Sequence, residues 1–186
     1  LKIKKMATNK EIAVSGVMQE FEKFSNLILA QLDILGEILT TNNEVIPEEV
    51  INQLFENEDK IDKYEVKIEE HIISAIVLYK PVASDLRQLF AIYRMLINLE
   101  RIGDRVIKIV NYVNAVQDID LFKKHSSTLN QMAKLSSKMV KKALISFTNK
   151  DEGFALWAIK KDVAIDELNQ KFLRESIEKG ELPKEF

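Results

Sequence analysis

Two pairs of acidic residues have the spacing to act together as a cation-binding site. Glu58 and Asp62 are four residues apart, as are Glu100 and Asp104, and the two pairs are equally distant in sequence from Pro81. If the chain folds back at Pro81 into an antiparallel helical hairpin, both pairs lie about 28 Å from the bend, at ~1.5 Å per residue. Like charges on one helix face repel, so four carboxylates across one seam favour a bound cation.

The ligand chemistry of this predicted metal site limits the cations that it can hold. Carboxylate oxygens suit Mg²⁺, Mn²⁺ or oxo-bridged iron, whereas a structural zinc ion prefers Cys and His. The alternative is a surface ionic lattice in which basic side chains neutralise the acids. The residues available for that role are Lys60, Arg87, Arg94, Arg101 and Arg105.

The composition indicates long helices and excludes several other classes of protein. Hydrophobic residues make up 46% of the chain and charged residues 30%, with five Gly and three Pro. The 27 basic and 29 acidic residues are interleaved, so the net charge of −2 offers no footprint for nucleic acid. The absence of Cys excludes disulfides and thiolate chemistry and is typical of a cytosolic protein. No apolar run reaches the ~20 residues that span a bilayer.

Apolar residues recur every three to four positions along five segments, which predicts five α-helices. These segments cover residues 9–39, 47–79, 82–113, 121–147 and 151 to just before Gly180. Pro47 suits a first helical position, and Asp151 suits an N-cap. Short links between long helices predict an all-α antiparallel bundle. The core expected from the third helix and from the junction of the last two consists of Leu86, Leu89, Ile92, Leu96, Leu99, Ile102, Val106, Ile109, Phe147, Phe154 and Trp157.

An internal repeat connects the two halves of the chain. The pattern acid-x-x-Ile-Asp at Glu58 and Asp62 recurs at Asp162 and Asp166. We therefore expect a flexible tail over residues 1–8, a first three-helix unit over 9–117 and a second unit over 118–186 that lacks its last helix. The start at Leu1 is consistent with a processed chain or a fragment. An incomplete unit leaves apolar surface uncovered, which favours a truncated chain, a missing segment, or pairing with a second chain as a homodimer.

Three further positions in the third predicted helix have a local interpretation. Gly103 inside a helix disfavours that helix by ~1 kcal/mol relative to Ala, so we expect a close approach of a neighbouring helix there. Asp85 follows Pro81 at a helix start, where a carboxylate caps the first turn, with Arg87 beside it as a salt-bridging residue. The alternative for Asp85 and Arg87 is contact with a partner protein.

These motifs together resemble the PhoU family of phosphate-uptake regulators. The resemblance rests on Glu58-x-x-Ile-Asp-x-x-Glu65, on Pro81-x-Ala-x-Asp-Leu-Arg87 and on Leu99-Glu-Arg-Ile-Gly-Asp104. It implies tandem three-helix bundles and, as in some family members, multinuclear metal clusters on the acidic motifs. The metal ligands would then be Glu58, Asp62, Glu100, Asp104, Asp162 and Asp166, and the signature residues Pro81, Asp85, Arg87, Arg101 and Gly103.

The same resemblance implies a non-enzymatic function. A PhoU protein acts at the inner face of the cytoplasmic membrane, between the ATPase of a phosphate ABC transporter and a phosphate-sensing histidine kinase. There it restrains phosphate uptake and the phosphate-starvation response. An alternative is a cytosolic PhoU-like domain of a sodium/phosphate cotransporter. A ferritin-like oxidase is disfavoured because neither His71 nor His125 stands in a Glu-x-x-His motif, and no phosphate-binding loop is recognisable.

Overall fold

The computed structural model describes residues 8–41 and 46–178, which form five α-helices and no strand. The helices are α1 (Asn9–Thr41), α2 (Glu48–Tyr79), α3 (Ser84–Asn114), α4 (Ile119–Asn149) and α5 (Glu152–Glu178). The all-α helical fold predicted from the sequence is confirmed, with each helix boundary inside the described residues within two residues of its expected place. None of the described helices has a stretch apolar enough to cross a membrane. Residues 1–7 of the predicted tail and the stop signal at Gly180 lie outside the described residues.

Local signals account for several helix ends. The first helix begins with a capping box, in which the Thr8 backbone N–H donates to Glu11 Oε2 at 2.7 Å and the Glu11 N–H donates to Thr8 Oγ1 at 3.3 Å. Asp118 and Asp151 act as N-caps, accepting from the backbone N–H of the third residue that follows, at 2.9 and 3.1 Å. The N-cap predicted at Asp151 is thus confirmed. Pro47 is itself the N-cap residue of α2, one position earlier than expected.

The reversal between α2 and α3 is built from two left-handed residues around Pro81. Lys80 ends α2 with φ of 44°, and its N–H donates to the Ile76 carbonyl at 3.1 Å. Pro81 is buried, and Ala83 has φ of 49° immediately before α3 begins. Non-glycine residues seldom adopt this conformation, so the tight reversal is held by the packing on either side of it.

The described chain packs as two compact units. The first comprises residues 8–31 and 47–109, and the second comprises residues 32–41, 46 and 110–178, so α1 and α3 each contribute to both. The repeat boundaries at 9–117 and 118–186 concern internal similarity and stay a prediction.

The core of the first unit is dense and is drawn from three helices. Its fully buried side chains include Phe24 and Ile28 of α1, Ile61 and Ile68 of α2, and Leu96 of α3. Of the stripe predicted for α3, Leu86 and Ile102 are only half-buried, and the remaining members up to Val106 are buried. The buried face then continues at Val110. Ile109, predicted to lie on that stripe, is 41% exposed. The prediction for Ile109 was wrong because 3.6 residues per turn do not match an exact alternation of three and four. Along α3 the buried face therefore shifts by one position, from Ile109 to Val110.

The core of the second unit is thinner. Along α4 the buried residues are Ser126 and Leu144, and along α5 the buried residue is Ser176. Phe147, Phe154 and Trp157, predicted as core, are only half-buried. Lys142 Nζ lies 3.7 Å from the centroid of the Phe154 ring and 5.1 Å from that of Trp157, so lysine side chains cover these rings in place of a packed core.

Candidate functional site

The acidic residues predicted to face one another do lie together along the seam of α2 and α3. We call the set Glu58, Asp62, Glu65, Glu100 and Asp104 the carboxylate cluster. The charges of Asp62 and Asp104 both act on Glu58. Glu65 is influenced by Glu100, and Glu100 by Asp104 and Asp62. The bend at Pro81 therefore brings both predicted pairs to the same height.

Burial and mutual repulsion make three of these carboxyls harder to ionise. Burial raises the pKa of Glu58, and the charges of Asp62 and Asp104 raise it further, against an opposing hydrogen bond from Gln31. Burial also raises the pKa of Glu65, followed by the charge of Glu100. The pKa of Glu100 is raised by burial and then by Asp104. A bound cation or a shared proton would relieve this accumulated charge.

Basic side chains offset only part of that charge. Lys108 Nζ lies 3.1 Å from Asp104 Oδ2, an ion pair four residues apart on α3. The charges of Arg101 and Lys108 act to lower the pKa of Glu100, yet the net direction stays upward. Arg87, Arg94 and Arg105 form no salt bridge within residues 8–41 and 46–178. The ionic lattice considered above therefore neutralises the cluster only in part.

A buried glutamine from α1 completes the site. Gln31 is fully buried, and its Nε2 donates to Glu58 Oε2 at 2.8 Å. Its Oε1 is buried and has no hydrogen-bond partner in the part of the chain that the structure describes. Gln31 was not among the predicted site residues; a lone amide among the apolar residues of the first helix is the signal that could have indicated its polar role.

The close approach predicted at Gly103 is present. A Cβ atom at this buried glycine would lie 2.9 Å from Gln31 Oε1, 3.1 Å from Ile28 Cδ1 and 3.5 Å from Glu58 Oε2. Contacts below about 3.4 Å are repulsive for carbon, so Gly103 leaves the space in which α1 brings Gln31 to the carboxylates.

The donor atoms of the carboxylate cluster suit a hard cation, but the side chains do not converge on one point. All its donors are oxygens, and the unpartnered Gln31 Oε1 adds a neutral carbonyl oxygen of the kind that such ions accept. Within the described ranges, however, no three Asp, Glu or His side chains converge in a way that could hold a metal ion. Holding one would need the carboxylates to turn towards a common point.

The remaining predicted site residues lie apart from the cluster. Asp162 and Asp166 are exposed, one turn apart on α5. Asp85 pairs with Lys10 at 2.6 Å, which attaches the start of α3 to the start of α1. Arg87 and Arg101 are exposed on α3, and Pro81 is buried at the bend.

A second polar group in the first unit was missed by the sequence analysis. Glu20 of α1 has a side chain only 16% exposed and accepts from Lys67 Nζ at 2.9 Å, with His71 Nδ1 at 2.6 Å. Burial acts to raise the pKa of Glu20, but the hydrogen bonds from Lys67 and His71 outweigh it and lower that pKa. This group attaches α1 to α2.

Fold and site together define a helical-bundle protein whose first unit carries a row of carboxylates along one interhelical seam. The family model of the PhoU domain matches residues 21–113 and 129–184, and the chain belongs to that family. The site-bearing segment from Glu58 to Asp104 lies wholly inside the first matched range.

Individual relatives agree with this assignment. The chain is 34% identical over 153 residues to a phosphate-specific transport system accessory protein PhoU homolog of Aquifex aeolicus, covering 82% of this chain and 67% of the relative. It is 25% identical over 159 residues to the homolog of Xylella fastidiosa strain 9a5c, covering 86% of this chain and 65% of that relative. The chain thus spans about two thirds of the length of these curated relatives.

A solved structure shows the same fold. The crystal structure of PhoU from Pseudomonas aeruginosa aligns with a TM-score of 0.77 at 24% identity, covering 89% of this chain and 78% of that one. At this identity the likeness supports the arrangement of helices and carries no conclusion about function.

Proposed function

We propose that this protein regulates phosphate transport as a non-enzymatic accessory protein. The observation that carries the proposal is the match to the PhoU domain over residues 21–113 and 129–184, together with relatives named as accessory proteins of phosphate-specific transport systems. Those names favour this function over a domain of a sodium/phosphate cotransporter, which no observation supports.

The regulation proposed is negative and acts through docking. The chain binds the ATPase of a phosphate ABC transporter and a phosphate-sensing histidine kinase at the inner face of the cytoplasmic membrane. It thereby restrains both uptake and the phosphate-starvation response. Exposed apolar side chains support docking or a homodimer, since Leu156, Ile159 and Val163 of α5 are each more than half exposed and share one helix face.

The test is complementation of a bacterium that lacks its own family member. We expect this chain to lower phosphate uptake and the activity of a phosphate-starvation reporter in phosphate-rich medium. Unchanged uptake and reporter activity, with the chain present at the normal level of the deleted protein, would refute the proposal.

We further propose that the carboxylate cluster holds a hard cation, iron, Mn²⁺ or Mg²⁺, as a structural element of the first unit. Glu58, Asp62, Glu100 and Asp104 would be the ligands after small side-chain rotations. The raised pKa values of Glu58 and Glu100 and the unpartnered Gln31 Oε1 support this proposal. For Asp162 and Asp166 a metal role rests on the internal repeat alone.

Elemental analysis of protein purified without chelator tests the cation site. We expect a stoichiometric metal that is lost in Glu100→Ala/Asp104→Ala and retained in Asp33→Ala/Glu37→Ala. The control removes two exposed carboxylates with the same spacing from α1. The proposal would be refuted if the wild-type protein is metal-free and gives no calorimetric heat with Fe²⁺, Mn²⁺ or Mg²⁺. The acidic residues would then take part only in ionic interactions within the protein.

A further inference from the structure

The outer face of α3 carries a regular alternation of arginine and apolar side chains. We call Arg87, Phe90, Arg94, Ile97 and Arg101 the α3 stripe. They follow one another at spacings of three and four residues, which places them on one face of the helix. That face is opposite the one that buries Leu89, Ile92 and Leu96.

The apolar members of the stripe are open to solvent. Phe90 is 55% exposed and Ile97 is 37% exposed, and neighbouring Tyr93 is 39% exposed. A single exposed apolar side chain is ordinary, but three within eight residues form a continuous patch on one helix. Aromatic and arginine side chains are also the types enriched in the central contacts of protein interfaces.

The charged members of the stripe are all basic. Between Leu86 and Leu99 the sequence contains no acidic residue. Some exposed lysines elsewhere pair with carboxylates, such as Lys60 with Glu56, and Lys171 with Glu175, each at 3.9 Å. Arg87, Arg94 and Arg101 are exposed and have no ion pair within residues 8–41 and 46–178. The guanidinium groups of Arg87 and Arg94 are open to a bidentate carboxylate of another molecule, while the charge of Arg101 also acts on Glu100.

We propose that the α3 stripe binds an acidic amphipathic helix of a partner protein. This inference deepens the proposed function, on which it rests, by naming the surface that docks. Arg87 and Arg94 are seven residues apart, as are Phe90 and Ile97, so each pair spans about 10.5 Å along the helix. A partner helix packed alongside presents residues at the same repeat, with carboxylates opposite the arginines and apolar anchors opposite Phe90 and Ile97.

The neighbouring carboxylate cluster favours a single partner helix over an extended anionic membrane surface. Glu100 and Asp104 lie on either side of Arg101, the last member of the stripe, in the sequence of α3. An anionic membrane surface would extend beyond the stripe and meet these charges, which repel it. A single helix is about 10 Å wide and contacts the stripe alone.

The experiment measures binding of a synthetic helical peptide to the full chain by fluorescence anisotropy. The peptide contains about three heptads, with Glu at one position of each heptad and Leu three residues later. We expect the Kd to rise about tenfold or more in Arg87→Glu/Arg94→Glu and in Phe90→Ala. A peptide with Lys in place of each Glu should prefer the charge-reversed variant to the wild type.

Matched controls separate a site from general charge attraction. Lys160→Glu/Lys171→Glu on α5 makes the same change in net charge and should leave the Kd unchanged, and circular dichroism confirms that each variant is folded. No peptide binding, or equal loss in the α5 control, overturns the inference. Binding of phosphatidylglycerol vesicles through the stripe in place of the peptide also overturns it. None of these results affects the complementation test of the proposed function.

Discussion

At the scale of single residues, the site depends on a glutamine that reaches a seam formed by two other helices. Gln31 of α1 donates to Glu58 of α2 beside Gly103 of α3. The amide is fully buried, so its orientation is fixed by its partners and by the absence of a side chain at Gly103. This contact attaches α1 to the carboxylate cluster and defines the geometry of Glu58.

Substitution of Gly103 by Ala tests that close approach. Alanine favours a helix by ~1 kcal/mol over glycine, but here the added Cβ would meet Gln31 Oε1 at 2.9 Å in a packed interior. Overpacking of this kind costs about 1–3 kcal/mol, so we expect a net loss of about 1 kcal/mol in the free energy of unfolding. Urea denaturation measures it.

Gly16→Ala is the matched control for that substitution. Gly16 also lies within a helix, and a Cβ there would have nothing within 4 Å. We expect it to raise the free energy of unfolding by up to ~1 kcal/mol. Equal stabilisation by both substitutions would show that no close approach exists at Gly103.

At the scale of elements, helix ends define where each helix can lie. Left-handed residues follow α2 and α4, at Lys80 and at Lys150, whose φ is 56°. Both satisfy a free carbonyl of the last turn through their backbone N–H. The link between α4 and α5 is therefore only two residues long, which makes these helices antiparallel neighbours.

Removal of the N-cap at Asp151 should weaken this reversal. Asp151 Oδ1 accepts from the Phe154 N–H at 3.1 Å, and its loss in Asp151→Ala should lower the free energy of unfolding by about 1 kcal/mol. Asp151→Asn keeps the acceptor and should retain most of the stability. Thermal unfolding followed by circular dichroism compares the two variants; a loss of the same size in both would show that charge, and not the cap, is responsible.

At the scale of the whole molecule, the carboxylate cluster makes stability depend on pH. Glu58, Glu65 and Glu100 have a pKa raised from the ordinary value of 4.5, so the folded chain holds their protons more tightly than the unfolded chain does. Their contribution to stability falls as pH rises above 4.5 through the raised values. Glu20, with a lowered pKa, contributes stability above 4.5 that is lost as pH falls through its lowered value.

Substitution of Glu58 by Gln should make the free energy of unfolding depend less on pH near neutrality. We expect the fall in unfolding free energy between about pH 5 and pH 7.5 to be smaller in Glu58→Gln than in wild type. The difference should be less than about 1 kcal/mol because the site is only partly buried. Urea unfolding at each pH measures it. Glu20→Gln is the control, since it should alter the profile chiefly below pH 4.5; an unchanged neutral slope in Glu58→Gln would contradict the coupling.

The sequence by itself determined the five helices, their ends and the alignment of the two acidic pairs. These features follow from local rules: apolar residues repeat with the helical period, capping side chains act within one turn, and a proline such as Pro81 interrupts a helix that precedes it. The rise per residue then places Glu58 opposite Asp104 without reference to the rest of the fold.

Only the tertiary structure decided which residues complete the site and which faces stay open. The sequence could not place Gln31 against Glu58, because that contact depends on which face of α1 turns towards the other two helices. Nor could it show that Val110 is buried and Ile109 exposed. It also could not show that lysine side chains, and not a packed core, cover Phe154 and Trp157. Each of these outcomes depends on packing between residues far apart in sequence, where small rotations of a long helix exchange buried and exposed positions.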